Sequence, residues 1–178
     1  MIFIGVGANL HSPRHGSPLE TCLAALEIME KSGLRIVRRS RWRTSAPAPA
    51  SDQPWYVNGV AEIETETSPA AIMDVLHGIE TQCGRPRGEN RGGRNAARAL
   101  DLDLLAFHDL VLEGNASDSI ILPHPRMHER AFVLEPLAEL SPDWAHPVTG
   151  KGVKDLIAAL PPGQDVTLLE ELNEVGTL

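Results

Sequence analysis

Residues 100–107 read Leu-Asp-Leu-Asp-Leu-Leu-Ala-Phe, with apolar and acidic side chains alternating from Leu100 to Leu104. A period of two belongs to a β-strand, where alternate side chains share a face. Leu100, Leu102 and Leu104 are therefore expected to enter a core, and Asp101 and Asp103 to point together the other way. Immediately upstream, Ser68-Pro69 carries the signal of a helix start, and Ile72, Val75, Leu76 and Ile79 form an apolar stripe that ends before Gly84. Residues 56–64 read as the strand before that helix, and residues 34–43, with Leu34, Ile36 and Trp42 set among arginines, as another.

The same pattern opens the chain. Residues 2–7 are apolar and β-branched before turning Gly-rich. Ser17-Pro18-Leu19-Glu20 is a capping box with proline at the first helical position, and Leu19, Leu23, Leu26 and Glu30 follow at helical spacing until Gly33. The order strand, helix, strand, strand, helix, strand is the ferredoxin-like βαββαβ arrangement, an α+β fold with an antiparallel sheet flanked by helices. A small hairpin over 110–122 and short helices near 127–139 and 152–160 are expected to complete a single domain of 178 residues. The Pro- and Ala-rich segment 45–54 and the Gly- and Arg-rich segment 85–98 read as mobile loops.

Composition narrows the function. No apolar run approaches the ~18 residues of a membrane span, and the N-terminus has no positive charge ahead of its apolar stretch. Cys22 and Cys83 are too few for a disulfide framework or zinc site, and both are expected in the core. A cytoplasmic, monomeric protein is the expectation. The formal net charge of -8 disfavours a general nucleic-acid binder. Yet thirteen of the sixteen basic residues are arginine, five of them within 35–43 and another five within 85–98. The planar guanidinium fork matches phosphate oxygens, so these clusters suggest a local phosphate site.

The Asp101/Asp103 pair fits that suggestion. Two neighbouring carboxylates repel unless a cation lies between them, and Mg²⁺ is commonly held by one or two carboxylates plus substrate phosphates. A solvated strand face carrying two acids is the plain alternative. The arginine loop entering this strand favours the metal. His124, in Pro123-His124-Pro125, and Arg130 form a third polar group, read as phosphate donors or, for the histidine, as structure. Tyr56 and Asn58 lie two apart on a strand and share a face, where a ring and an amide can stack on and read a flat heterocycle. Phe132 is a second stacking candidate or a core residue. Gly5-Val6-Gly7-Ala8-Asn9 is only half of a dinucleotide fingerprint, and no GxxxxGK[ST] occurs.

These pieces, in this order, resemble the hydroxymethyl-dihydropterin pyrophosphokinase family of folate synthesis. The matching stretches are IGVGANL, RWRT, DQPWYVN, IETQCGRPR, RALDLDLL and LPHPRMHERAFVLEPLAEL, covering residues 2 to about 140; residues 141–178 match little. The resemblance implies transfer of pyrophosphate from ATP to 6-hydroxymethyl-7,8-dihydropterin, with AMP released. It implies two Mg²⁺ ions on Asp101 and Asp103, pterin between Tyr56 and Phe132, Asn58 bonded to the ring, and the Thr44 region lining the pocket. It sets Glu80, Arg85 and Arg87 toward the nucleotide or the mobile loop, and Arg98, His124 and Arg130 on phosphates, with Arg87 and Arg98 also catalytic. Three departures bear on loop closure and nucleotide affinity. Asn95 stands where a loop Trp is common, the loop is a few residues longer, and Ile121 replaces a small hydroxyl residue. Two rival readings are a silent pterin- or nucleotide-binding paralogue and an RNA-binding ferredoxin-like module. The second lacks the aromatic pair such modules use.

Overall fold

The computed structural model describes residues 1–47, 52–84, 99–114 and 120–169. Among these residues six strands and four α-helices follow one another as β1 (Ile2–Ala8), α1 (Pro18–Lys31), β2 (Arg35–Arg39), β3 (Arg43–Ser45), β4 (Tyr56–Glu64), α2 (Pro69–Gln82), β5 (Asp101–Phe107), α3 (Ala131–Leu140), α4 (Val153–Ala158) and β6 (Val166–Leu168). The sheet runs β5-β1-β4-β3-β6, with β2 also paired to β4, and every pairing is antiparallel. With β2 and β3 counted as one interrupted strand, this is the order of the ferredoxin-like core expected from the sequence.

The two principal helices start as their sequences dictate. Ser17 Oγ accepts the Glu20 N–H at 3.3 Å, and Glu20 Oε2 accepts the Ser17 N–H at 2.7 Å. Ser68 Oγ accepts the Ala71 N–H at 3.3 Å. Each cap contributes about 1 kcal/mol. Gly33 follows α1 at φ +86°, the left-handed conformation that ends a helix without a Cβ penalty. The buried face of α1 is Leu19, Cys22, Ala25, Leu26 and Met29, whereas Leu23 is exposed. Both cysteines are fully buried and free, as expected.

Both sheet faces are covered. Helices α1 and α2 pack on one, over Ile2, Ile4, Val6, Ala61, Ile63, Leu102 and Leu104. Helices α3 and α4 pack on the other, over Phe3, Val60, Leu105 and Ala106. Each fully buried Leu or Ile in these layers is worth about 1.5–3 kcal/mol. A register shift between Phe3 and Ile4 lets both Leu105 and Ala106 enter the second core. Asp101, Asp103, Gly5, Gly7 and Asn58 share that second face but lie outside its apolar cluster. The polar half of this face is where the chemistry-bearing side chains gather.

Two expectations need correction. The strand read over 34–43 is broken at Ser40–Trp42, because Trp42 turns into the first core against Gly59, where a Cβ would lie 2.8 Å from the indole. The hairpin over 110–122 is reduced, among the described residues, to one bridge between Leu112 and Leu122. The arginines at 35–43 also find carboxylates and an aromatic ring within the protein. Arg35 pairs with Glu64, Arg38 with Glu62, and Arg41 and Arg43 with Glu139, while Arg39 lies over Trp42. This cluster fastens β2 and β3 to β4 and α3.

Candidate active site

The alternation in β5 does what its sequence requires. Leu102 and Leu104 are buried, and Asp101 and Asp103 are half-buried on the opposite face. Glu80 of α2, only 1% exposed, accepts the Leu102 N–H through Oε1 at 3.0 Å. The bond falls between the two aspartates, so a side chain beneath the sheet braces the segment that presents both carboxylates.

Past β5 the chain turns back over that face. The His124 N–H donates to the Leu105 carbonyl at 2.8 Å. The His124 Nδ1 accepts the Arg126 N–H at 3.2 Å, so the neutral ring carries its proton on Nε2. That Nε2 lies 4.0 Å from Asp103 Oδ1. Burial, then the Arg130 and Arg126 charges, lower the His124 pKa to about 4. The ring is thus a neutral donor near pH 7. Arg130, the N-cap of α3, brings Nη1 to 3.9 Å from Asp103 Oδ2, and its guanidinium lies 5.4 Å from the Phe132 ring centre.

Across the sheet, Gly7 pairs with Asp101 on one side and Asn58 on the other, and Asn58 pairs with Arg43. These residues make one row on the polar face. A Cβ on Gly7 would lie 3.1 Å from Asn58 Oδ1, so glycine here leaves the amide its place. Asn58 Nδ2 donates to Ser45 Oγ at 2.8 Å. Tyr56 starts β4 on the same face and donates its hydroxyl to Gln53 at 3.4 Å. Asn9, buried at the end of β1, donates to Gln53 Oε1 at 3.3 Å and the Pro54 carbonyl at 3.1 Å, tying the β1 turn to the segment before Tyr56. Arg43 is buried and reaches Glu139 at 2.8 Å and Glu135 at 3.7 Å, clamping α3, which carries Phe132, to the sheet.

The structure therefore brings Asp101, Asp103, His124 and Arg130 together, and sets Tyr56 and Asn58 on the same sheet face. Thr44 is the exception. It pairs with Val57, so its side chain lies on the other face, where its hydroxyl meets Thr167 at 2.8 Å. The hydroxyl beside Asn58 is that of Ser45, which sequence reading missed. Arg85, Arg87 and Arg98 lie outside the described residues, as do Arg91, Arg94 and Asn95.

Next to the carboxylates is a cavity of about 430 Å³, lined by the polar side chains of Asp74, His77, Asp103 and His124 and the apolar ones of Met73, Ile120 and Ile121. Among the described residues no group of three or more His, Cys, Asp or Glu side chains could hold a metal by itself. The Asp101/Asp103 pair offers hard oxygens on one face, and Mg²⁺ is ordinarily completed by water and substrate phosphates. The donor set fits that ion.

The 7,8-dihydro-6-hydroxymethylpterin-pyrophosphokinase (HPPK) family model matches residues 3–142. A 2-amino-4-hydroxy-6-hydroxymethyldihydropteridine pyrophosphokinase of Pseudomonas aeruginosa is 38% identical over 161 residues, covering 90% of this chain and 91% of that protein. The folic acid synthesis protein fol1 of Pneumocystis carinii is 34% identical over 152 residues, covering 85% of this chain. This chain spans only 19% of that protein's length. A Plasmodium falciparum HPPK-DHPS structure superposes with a TM-score of 0.68 at 12% identity, over 88% of this chain and 43% of the other, a likeness of fold.

Proposed function

The chain belongs to the 7,8-dihydro-6-hydroxymethylpterin-pyrophosphokinase family, and from that premise we propose that it transfers pyrophosphate from ATP to 6-hydroxymethyl-7,8-dihydropterin, giving AMP and the pterin diphosphate. The observation that carries this reading is the Asp101/Asp103 pair on the polar sheet face, beside His124, Arg130 and the cavity. The proposal takes the protein to act as a monomer. The proposal sets the reaction in the cytoplasm.

ATP lies with its base toward Met73 and Ile121 and its phosphates toward Asp103. Magnesium, two ions in this reading, would be held by Asp101 and Asp103 and would neutralise and align the phosphate oxygens. His124 donates its Nε2 proton to a phosphate oxygen, and Arg130 offsets charge on the same side. Arg87 and Arg98 are assigned the same task from the loop, and Glu80 serves the nucleotide side by holding β5. The pterin lies between Tyr56 and Phe132 with Asn58 on its edge, and the region of Thr44 lines the pocket. The hydroxymethyl oxygen attacks the β-phosphorus and AMP leaves. Positioning and charge stabilisation carry the rate, because phosphoryl-type transfer asks little covalent chemistry of the protein.

The test is Asp101→Asn and Asp103→Asn, each assayed for AMP release. Both variants are expected to fold normally and lose turnover. Near-normal activity in either one contradicts the metal assignment.

A further inference from the structure

We infer that Ser45 is a positioning residue of the pterin site, holding the Asn58 amide so that a fixed edge of it meets the heterocycle. The inference rests on the reading of Asn58 as a pterin-binding residue. Ser45 and Asn58 are 4% and 5% exposed, so each is a buried polar group whose bonds matter. In the β3–β4 register Arg43 faces Asn58 and Ser45 faces Tyr56, which makes Ser45 the diagonal neighbour of Asn58 on the same face. Their bond, Nδ2 to Oγ at 2.8 Å, is short and entirely between side chains.

A primary amide is nearly symmetric in shape, and its surroundings decide which end is oxygen. The Gly7 side decides it here, because a serine hydroxyl can donate or accept and so fixes where the amide sits rather than which end is oxygen. Ser45 Oγ takes one N–H. On the other side, Gly7 offers Asn58 Oδ1 only a Cα–H, in the space where any other residue would place a Cβ at 3.1 Å. A C–H can donate weakly but cannot accept, so the carbonyl belongs on the Gly7 side and the amino group on the Ser45 side. The second N–H and a carbonyl lone pair then remain for a ligand. A donor beside an acceptor matches a lactam edge, where a ring N–H adjoins a carbonyl. Pterins carry such an edge. With the amide reversed, donor and acceptor change places and the same ring no longer fits in the same pose. Thr44, one residue away, cannot serve, because its hydroxyl is on the opposite face.

The experiment is calorimetric titration of the full chain with 6-hydroxymethyl-7,8-dihydropterin in the presence of α,β-methylene-ATP and Mg²⁺, paired with steady-state kinetics. The proteins are the wild type, Ser45→Ala, Ser45→Thr and Asn58→Ala. Losing one neutral hydrogen bond corresponds to about a fivefold to tenfold loss of affinity. Ser45→Ala is expected to raise the pterin Kd and KM by that factor, with kcat and the KM for ATP little changed and the melting temperature lowered by only a few degrees for the buried amide N–H left unpaired. Ser45→Thr restores the hydroxyl and is expected to restore pterin affinity. Unchanged pterin affinity in Ser45→Ala, alongside a clear loss in Asn58→Ala, overturns the inference and leaves the pterin site standing. Equal losses for both substrates together with a lowered melting temperature reduce Ser45 to a structural residue and also overturn it. If neither variant changes pterin binding, the reading of Asn58 has failed and the inference falls with it.

Discussion

Glu80 makes the sharpest prediction about how the site is built. Its carboxyl is almost fully buried beneath the sheet and accepts the Leu102 N–H at 3.0 Å, between the two aspartates. Glu80→Gln keeps a carbonyl oxygen and nearly the same volume, so the bond to Leu102 survives in weaker form, at a cost of about 1 kcal/mol. Glu80→Ala removes the acceptor. It leaves a buried N–H unpaired, at about 1–3 kcal/mol, and opens a cavity that adds a comparable cost. The expected loss is about 3–4 kcal/mol. For a chain of this size each kcal/mol shifts the melting temperature by about 2–4 °C, which predicts a drop near 10 °C for alanine and about 3 °C for glutamine. Thermal unfolding followed by circular dichroism reads both. AMP release should fall more steeply than stability in Glu80→Ala, because the strand that loosens is the one presenting Asp101 and Asp103. An alanine variant with an unchanged melting temperature and full activity refutes the bracing role. A raised Kd for ATP at unchanged stability would instead make Glu80 a direct nucleotide ligand.

Two further outcomes follow from the electrostatics. Glu139 accepts from the Arg41 N–H and pairs with Arg43, which is buried. Glu139→Ala leaves that guanidinium with the longer contact to Glu135 and a bond to the Arg41 carbonyl and should cost about 2 kcal/mol, less than a fully buried pair because Glu139 is partly exposed; chemical denaturation checks it, and a change below half that value contradicts the clamp. Stability of the ligand-free protein should fall as pH drops from 6.5 toward 4. Burial depresses the His124 and His146 pKa values, so the unfolded chain binds more protons in that window and gains on acidification. Burial raises the Glu139 carboxyl, but bonds from Arg41 and Arg43 hold it low overall, and its contribution is also lost as pH falls. His146 Nδ1 accepts from the Val148 and Thr149 N–H groups. His146→Asn can keep that turn without a titrating ring, and denaturant midpoints across this pH range should flatten; an unchanged slope contradicts the assignment.

Much of this was legible in the sequence because it is local. A capping box at Ser17 and an N-cap serine with proline at Ser68-Pro69 set where both main helices begin, and a period of two in 100–104 set the aspartates on one face. The same period set Tyr56 beside Asn58. What escaped depends on partners far away in the chain. The break at Ser40–Trp42 exists because Gly59 makes room for an indole. The three residues of β6, Val-Thr-Leu, are too few for their alternation to signal a strand and become one only by pairing with β3, far earlier in the chain. Arginines 35–43 read as phosphate ligands until β4 and α3 supply their carboxylates. Thr44 and Ser45 differ by one position, and only the register with β4 decides which hydroxyl reaches the site. In α1, helical spacing picked Leu23, yet Cys22, Ala25 and Met29 hold the buried face.

The central claim is tested most directly by ³¹P NMR of the protein with ATP, Mg²⁺ and 6-hydroxymethyl-7,8-dihydropterin, against a control without pterin. The account predicts loss of the ATP signals with AMP and a pterin diphosphate appearing together, and no loss in the control. Formation of ADP in place of AMP, or no ATP consumption by a protein shown to be folded, would contradict it.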